Sequence, residues 1–327
     1  MSRASTLLRT PIVAASEYSA HVGVLLTLLV AAISVRSLFE VPNLEDVAKQ
    51  ASILGLVAIG QTLVLLVRGL DLSVGAVVGL AAITVTQAGG DSASSVLAGF
   101  GLALLFGAAI GLVNGALVAK RAVPPFVATL GMLILVEGAR LAYTRGEASG
   151  TVPGPVRSLS LDSAIGIPYP VIIWLGLNAV FAVLLYASPY GRRLYAVGLN
   201  PEAARLSGVR VDLIVMSAYV ASSLLCVVAG LLLASYIGYV DQYVGRGTDL
   251  DSIAAALIGG TSFTGGRGGL GGTIAGVVLI TLILNLITIA GLSVQLQFIV
   301  KGLVLIAAVA LQGLRLRAKP ALSAEAA

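Results

Sequence analysis

Apolar runs long enough to cross a bilayer alternate with short polar breaks along almost the whole chain. A transmembrane helix needs about 20 apolar residues. The first run is His21 to Val35, reaching Leu38 if Arg36 extends its stem to the interface. Val41-Pro42-Asn43 with Glu45 and Asp46 predicts a polar turn. Runs follow at Val47 to Val67, Leu72 to Ala88, Val96 to Ala119 and Phe126 to Tyr143. Their interruptions are Arg68-Gly69-Leu70-Asp71, Gly89 to Ser95, and Lys120-Arg121 ahead of Pro124-Pro125. A proline-punctuated insert, Thr144 to Tyr169, precedes the run Val171 to Ala187. A polar island, Gly191 to Asp212, separates it from Leu213 to Ile237. Gly238 to Asp251 is polar, Ser252 to Gly259 starts a short helix, and glycines crowd Gly259 to Gly272. Thr273 to Ala290 and Gln297 to Leu314 complete the series. The pattern predicts an all-α polytopic membrane protein of about ten transmembrane helices, some of them broken.

Composition agrees: 58% of residues are hydrophobic and 11% charged, against about 25% charged in a soluble domain. The 39 glycines suit membrane helices packed at short range. The net charge of +5 sits between apolar runs, so it reports topology and not a nucleic-acid face. Arg3, Arg9, Lys120, Arg121, the island's four arginines (Arg192, Arg193, Arg205, Arg210), Arg315, Arg317 and Lys319 fall on one side. The positive-inside rule makes that side cytoplasmic. The expected layout is one membrane domain, 20–314, between cytoplasmic tails at 1–19 and 315–327. Val47 to Tyr143 and Leu213 to Leu314 each hold four apolar segments and a glycine-rich interruption. They start from opposite sides, which makes them a candidate inverted repeat of two four-helix halves.

The island carries a short helix with written ends. Asn200 is a good N-cap, Pro201 suits the first helical position, Glu202 favours the first turn and Gly208 can take the left-handed conformation that ends a helix. The helix, Pro201 to Ser207, comprises Glu202, Ala203, Ala204, Arg205, Leu206 and Ser207. It reads as a docking surface; the plainer alternative is an ordinary basic loop.

Two interruptions carry polar groups at membrane depth. Asp71 either caps the third span with Ser73 as helper or lines a cavity, and the two roles are compatible. Gly259 to Gly266, with Thr261 and Ser262, reads as a broken membrane helix or as a flexible turn. Gln61, Asn114, Thr129, Asn178 and Asn285 lie inside apolar runs, some to join helices and some to face a path that can hydrogen-bond hydroxyls. Glu137 and Arg140 are three apart and suit a local ion pair. Lys301 is placed to snorkel outward.

Catalytic patterns are absent. Gly266-Arg267-Gly268-Gly269-Leu270-Gly271 matches GxGxxG, but an apolar helix precedes it and no acidic residue follows at the required distance, so a dinucleotide fold is rejected. There is no GxxxxGK[ST] loop. One histidine, His21, and one cysteine, Cys226, exclude a disulfide within the chain and make a soft-metal site a poor reading.

These residues carry a resemblance. Gly60-Gln61-Thr62-Leu63-Val64 leading to Gly69-Leu70-Asp71-Leu72-Ser73-Val74-Gly75 is similar to a signature of the permease subunits of ribose-, xylose- and galactose-type ABC sugar importers. Asn114-Gly115, Pro124 to Met132, Gly191-Arg192-Arg193, Gly198 to Gly208, Gly259-Gly260-Thr261-Ser262 and Gln297 to Gly302 follow in order. The resemblance spans about Pro42 to Gln312. It implies an inner-membrane permease that binds no cofactor, with ATP and Mg on a partner ATPase subunit or fused tandem ATPase. It implies a periplasmic sugar-binding protein and a second permease copy or paralogue. The stretch Gly198 to Gly208 becomes the ATPase-coupling segment. Gln61, Asp71, Ser73, Asn114, Thr129, Thr261, Ser262 and Asn285 are the candidates for the sugar path. Arg68 and Glu137 depart from the pattern, which has a small residue and an arginine there. A secondary transporter and a membrane scaffold are the rival readings; a co-purifying ATPase separates them.

Overall fold

A computed structural model describes residues 19–87, 92–147, 150–293, 295–303, 306 and 310. The expected terminal tails and the end of the last apolar run lie almost wholly outside the described residues. The helices are α1 Ser19–Ser34, α2 Val41–Leu66, α3 Val74–Gln87, α4 Ala93–Arg121, α5 Pro125–Thr144, α6 Gly154–Leu161 and α7 Tyr169–Tyr186. They continue with α8 Pro189–Leu199, α9 Pro201–Leu206, α10 Val211–Ile237, α11 Thr248–Ile258 and α12 Leu270–Ile289. Residues 295–303 are also helical. Among the described residues, six helices are long and apolar enough to cross a membrane: α2, α4, α5, α7, α10 and α12.

Several expected boundaries move. The supposed turn at Val41 to Asp46 is the start of α2. Pro42 is tolerated in a first helical turn, and Asn43 Nδ2 donates to the Leu38 carbonyl at 3.1 Å, tying that turn to the preceding 3-10 segment Arg36–Phe39. The island is not one short helix but two. Ser188 caps α8, its Oγ accepting from Gly191 N–H at 3.3 Å, with Pro189 as the first helical residue. The insert after α5 contains α6, one small antiparallel pair and one strand of a second. Strand β2 (Ser163–Ala164) pairs β3 (Ile167–Pro168), and β1 (Gly150–Thr151) pairs β4 (Tyr239–Val240).

Helix α10 is the axis of the bundle, packed against α2, α3 and α4. Small residues allow the close approach. Gly107, Gly111 and Gly115 repeat every four residues and so share one face of α4. A Cβ on Gly111 would lie 2.7 Å from the Tyr219 carbonyl and from Val220 Cα, and one on Gly115 2.7 Å from Met216 Cα. Without a hydrophobic drive between helices in lipid, such backbone-to-backbone packing is what joins them.

Segments that charge placement assigns to one side touch one another. The insert after α5 meets the stretch after α10 through β1 and β4, and Arg157 Nη1 donates to the Ser235 and Tyr236 carbonyls at 2.9 Å. At the other end, both helix breaks meet α8.

Candidate functional site

The first break runs between α2 and α3. Arg68 turns the chain with a left-handed φ of 64°, and Gly69 N–H returns to the Val64 carbonyl at 2.9 Å. A Cβ on Gly69 would lie 2.6 Å from Tyr219 Oη and 2.7 Å from Val64 Cγ1, so only glycine fits. Asp71 follows, fully buried. Its Oδ1 accepts from Ser73 N–H at 2.9 Å and from Ser73 Oγ at 2.6 Å. Helix α3 begins at Val74, so Ser73 holds the N-cap position and Asp71 closes an Asx-type turn just before it. Ser73 thus stands at the cap position, while the side-chain oxygen that accepts a backbone N–H is that of Asp71, with Ser73 Oγ donating to it. Three helices brace the turn. Asn114 Nδ2 of α4 donates to Ser73 Oγ at 2.9 Å. Thr129 Oγ1 of α5 and Tyr219 Oη of α10 donate to the Leu70 carbonyl at 3.2 and 3.4 Å. Ser222 Oγ donates to Asp71 Oδ2 at 3.5 Å.

The second break lies between α11 and α12. Thr261 is fully buried and Ser262 nearly so. Ser262 N–H donates to the Arg267 carbonyl at 3.0 Å, and its Oγ shares a hydrogen bond with Thr264 Oγ1 at 2.8 Å. The freed backbone thus finds partners inside the protein. Gly259 packs on Gly272, where a Cβ would strike backbone.

Both breaks converge on the end of α8. Gly266 N–H donates to the orphan Leu66 carbonyl of α2 at 2.9 Å. Arg68 Nε donates to the Gly198 carbonyl at 2.7 Å and Nη2 to the Leu199 carbonyl. A Cβ on Gly198 would run into Leu66 O and Gly266. Tyr195 Oη donates to the Gly268 carbonyl at 2.9 Å, and Leu270 N–H donates to Tyr186 Oη at 3.0 Å. Burial pushes the Tyr195 phenol up to about 12, which keeps it a neutral donor.

One residue beyond this junction the short helix α9 begins. Asn200 Oδ1 accepts from Glu202 and Ala203 N–H at 3.0 and 3.1 Å. Gly208 is left-handed, with φ 81°. Arg205 pairs Asp212 at 3.0 Å. Ala204, expected on a docking face, is buried against this chain, whereas Leu206 is 86% exposed. The outward face is Glu202, Ala203, Arg205, Leu206 and Ser207.

Residues 43–309 match a family model described as the branched-chain amino acid transport system / permease component. The chain belongs to this family. The permease is 35% identical over 293 residues to the ribose import permease protein RbsC of Escherichia coli, covering 87% of this chain and 90% of that protein. It is 36% identical over 295 residues to RbsC of Bacillus subtilis, covering 88% and 90%. It is also 37% identical over 290 residues to the autoinducer 2 import system permease protein LsrC of Yersinia pseudotuberculosis, covering 86% and 80%. No solved structure matches the chain.

The fold of the permease gathers Asp71, Ser73, Asn114 and Thr129 into one buried network, joined by Tyr219 and Ser222, which the sequence reading missed. A readable signal existed: Tyr219, Ser222 and Ser223 sit at helical spacing within an apolar run. Gln61 is fully buried on α2, and neither its Oε1 nor its Nε2 has a hydrogen-bond partner. Asn285 stands apart and joins helices, its amide exchanging hydrogen bonds with Asn43 at 3.2 and 3.3 Å. Lys301, placed to snorkel outward, pairs through its Nζ with Asp251 at 2.6 Å. Among the described residues, no three His, Cys, Asp or Glu side chains gather into a metal-binding group. The arrangement holds backbone in place and orients hydrogen-bonding groups.

Proposed function

We propose that the permease forms the translocation path of an ATP-driven ABC importer for a monosaccharide or similar polyol. The single observation that carries the reading is the junction of Arg68 with Gly198 and Leu199. It joins the outward-facing helix α9 to both interruptions of the membrane bundle. A partner ATPase that pushed α9 would move the end of α8. Arg68 and the Gly266–Leu66 hydrogen bond would carry that motion to both breaks at once. Switching between outward- and inward-facing cavities needs such a two-state element.

The substrate class rests on the relatives, named for ribose import and autoinducer 2 import. The partners in this reading are an ABC ATPase subunit or fused tandem ATPase that binds ATP and Mg, a periplasmic sugar-binding protein and a second permease copy or paralogue. The chain sits in the inner membrane as one domain, 20–314, with cytoplasmic tails. About ten spans in two inverted halves, 47–143 and 213–314, belong to the same reading.

Reconstitution tests the proposal. In liposomes, the permease with its ATPase and binding protein should accumulate D-ribose or D-xylose on ATP addition, while the lone chain should neither hydrolyse ATP nor accumulate sugar. Concentrative uptake by the lone chain, driven by a proton or sodium gradient, would refute it.

A further inference from the structure

At the end of the bundle away from α9, a cavity of about 180 Å³ opens between α3, α5 and the stretch after α10. It has room for several waters, and so for one ring-sized solute. Glu137, Arg140 and Thr144 come from α5, Gln242, Tyr243 and Arg246 from the facing loop. The pair expected between Glu137 and Arg140 does not form as an ion pair. Glu137 Oε1 instead lies 3.9 Å from Arg246 Nε. Arg140 is 5% exposed, and its Nη2 donates to the Gln242 and Val244 carbonyls at 3.3 Å. That tether fixes the loop, so the cavity wall is built before any solute arrives. Gly79 of α3 permits it, since a Cβ there would strike the Arg140 guanidinium and the Val244 carbonyl.

The groups left open have a definite chemistry. Arg246 and Glu137 have side chains 62% and 34% exposed, and their long, solvated ion pair contributes little to folding. Tyr243 is half exposed, with the Arg246 guanidinium 5.0 Å above its ring. An anionic solute would face Glu137, and a cationic one would face two arginines. A neutral solute with many hydroxyls can use the carboxylate as acceptor, the guanidinium as donor and the Gln242 amide as either, with a C–H face against the tyrosine ring. The cavity also shares its helices with the buried Asp71 network. Thr129 and Arg140 are eleven residues apart on α5, or about 16 Å along its axis.

We infer that the cavity of Glu137, Gln242, Tyr243 and Arg246 is a receiving subsite for one neutral, sugar-sized polyol at the outer end of the path. The inference rests on the importer reading. The test uses Leu141→Cys in the complete complex. Leu141 lines the cavity and is 47% exposed, and the chain's single native cysteine, Cys226, is buried. A membrane-impermeant thiol reagent should label the new cysteine from outside. D-ribose or D-xylose, whichever the complex imports, should slow labelling about threefold or more, and adding Glu137→Gln or Tyr243→Ala should abolish that protection. Absence of labelling from outside, or labelling that the imported sugar does not slow, overturns the subsite and leaves the importer intact. A wild-type complex that imports neither sugar overturns the importer reading, and the subsite falls with it.

Discussion

Arg68 Nε donates to the carbonyl oxygen of Gly198 at 2.7 Å. The contact joins residues 130 apart in sequence, one in a helix break and one at the end of the helix that leads into α9. Terminal helix carbonyls lack intrahelical partners, and a cation is favoured beside them.

Arg68→Gly separates the side chain from the backbone. Glycine adopts the left-handed φ without the roughly 1–2 kcal/mol penalty of other residues, while the hydrogen bonds to Gly198 and Leu199 disappear. Normal abundance in the membrane and retained ATPase binding are expected, with sugar transported per ATP falling several-fold. Unchanged coupling would show that Arg68 carries no motion.

Asp71 acts through an oxygen. Asp71→Asn keeps an Oδ1 acceptor for Ser73 and should retain most uptake. Asp71→Leu strands the buried Ser73 N–H, at a cost of about 1–3 kcal/mol, and should lose assembly, read as membrane abundance. A folded but inactive Asn variant would point to an ionic role instead.

Gln61 holds a buried amide with no partner among the side chains and backbone around it. Replacing it by Leu removes a desolvation penalty of about 1–3 kcal/mol. Gln61→Leu should therefore raise the half-inactivation temperature in detergent and lower uptake. A variant that loses stability would show that the amide is bonded in the working state.

Gly111 and Gly101 lie on one helix with opposite surroundings. A Cβ at Gly111 meets the α10 backbone at 2.7 Å, whereas one at Gly101 meets nothing within 4 Å. Gly111→Val should abolish assembly and Gly101→Ala should be silent, both read by size-exclusion profile. Equal behaviour of the two would remove the glycine stripe from the account.

Much of this was written in local chemistry. The apolar runs located the long helices, because a membrane span must satisfy its backbone internally whatever its neighbours do. Asn200, Pro201 and Gly208 marked the ends of α9 because caps are local. The start of α8 was also written, in Ser188 and Pro189, but the surrounding arginines made the stretch look like open loop. The direction of Ala204 and Leu206 was not legible, since six residues give no apolar stripe. Nor was the meeting of Arg68 with Gly198, which depends on how three distant segments pack. Asn285 and Asp71 looked alike as polar residues at membrane depth; only tertiary contacts separate a helix clasp from the centre of a network.

Leu206 offers the most direct test that α9 is an ATPase dock. It is 86% exposed on a helix whose inner face, at Ala204, is already packed. Burying an exposed leucine against a partner favours association by about 1.5–3 kcal/mol, and burying an unpaired charge in its place costs several kcal/mol. The measurement is co-purification of the ATPase with Leu206→Asp permease from membranes, alongside sugar uptake. The account predicts wild-type permease abundance, loss of the co-purifying ATPase and no uptake. Retained ATPase with undiminished uptake would contradict it and return the segment to an ordinary basic loop.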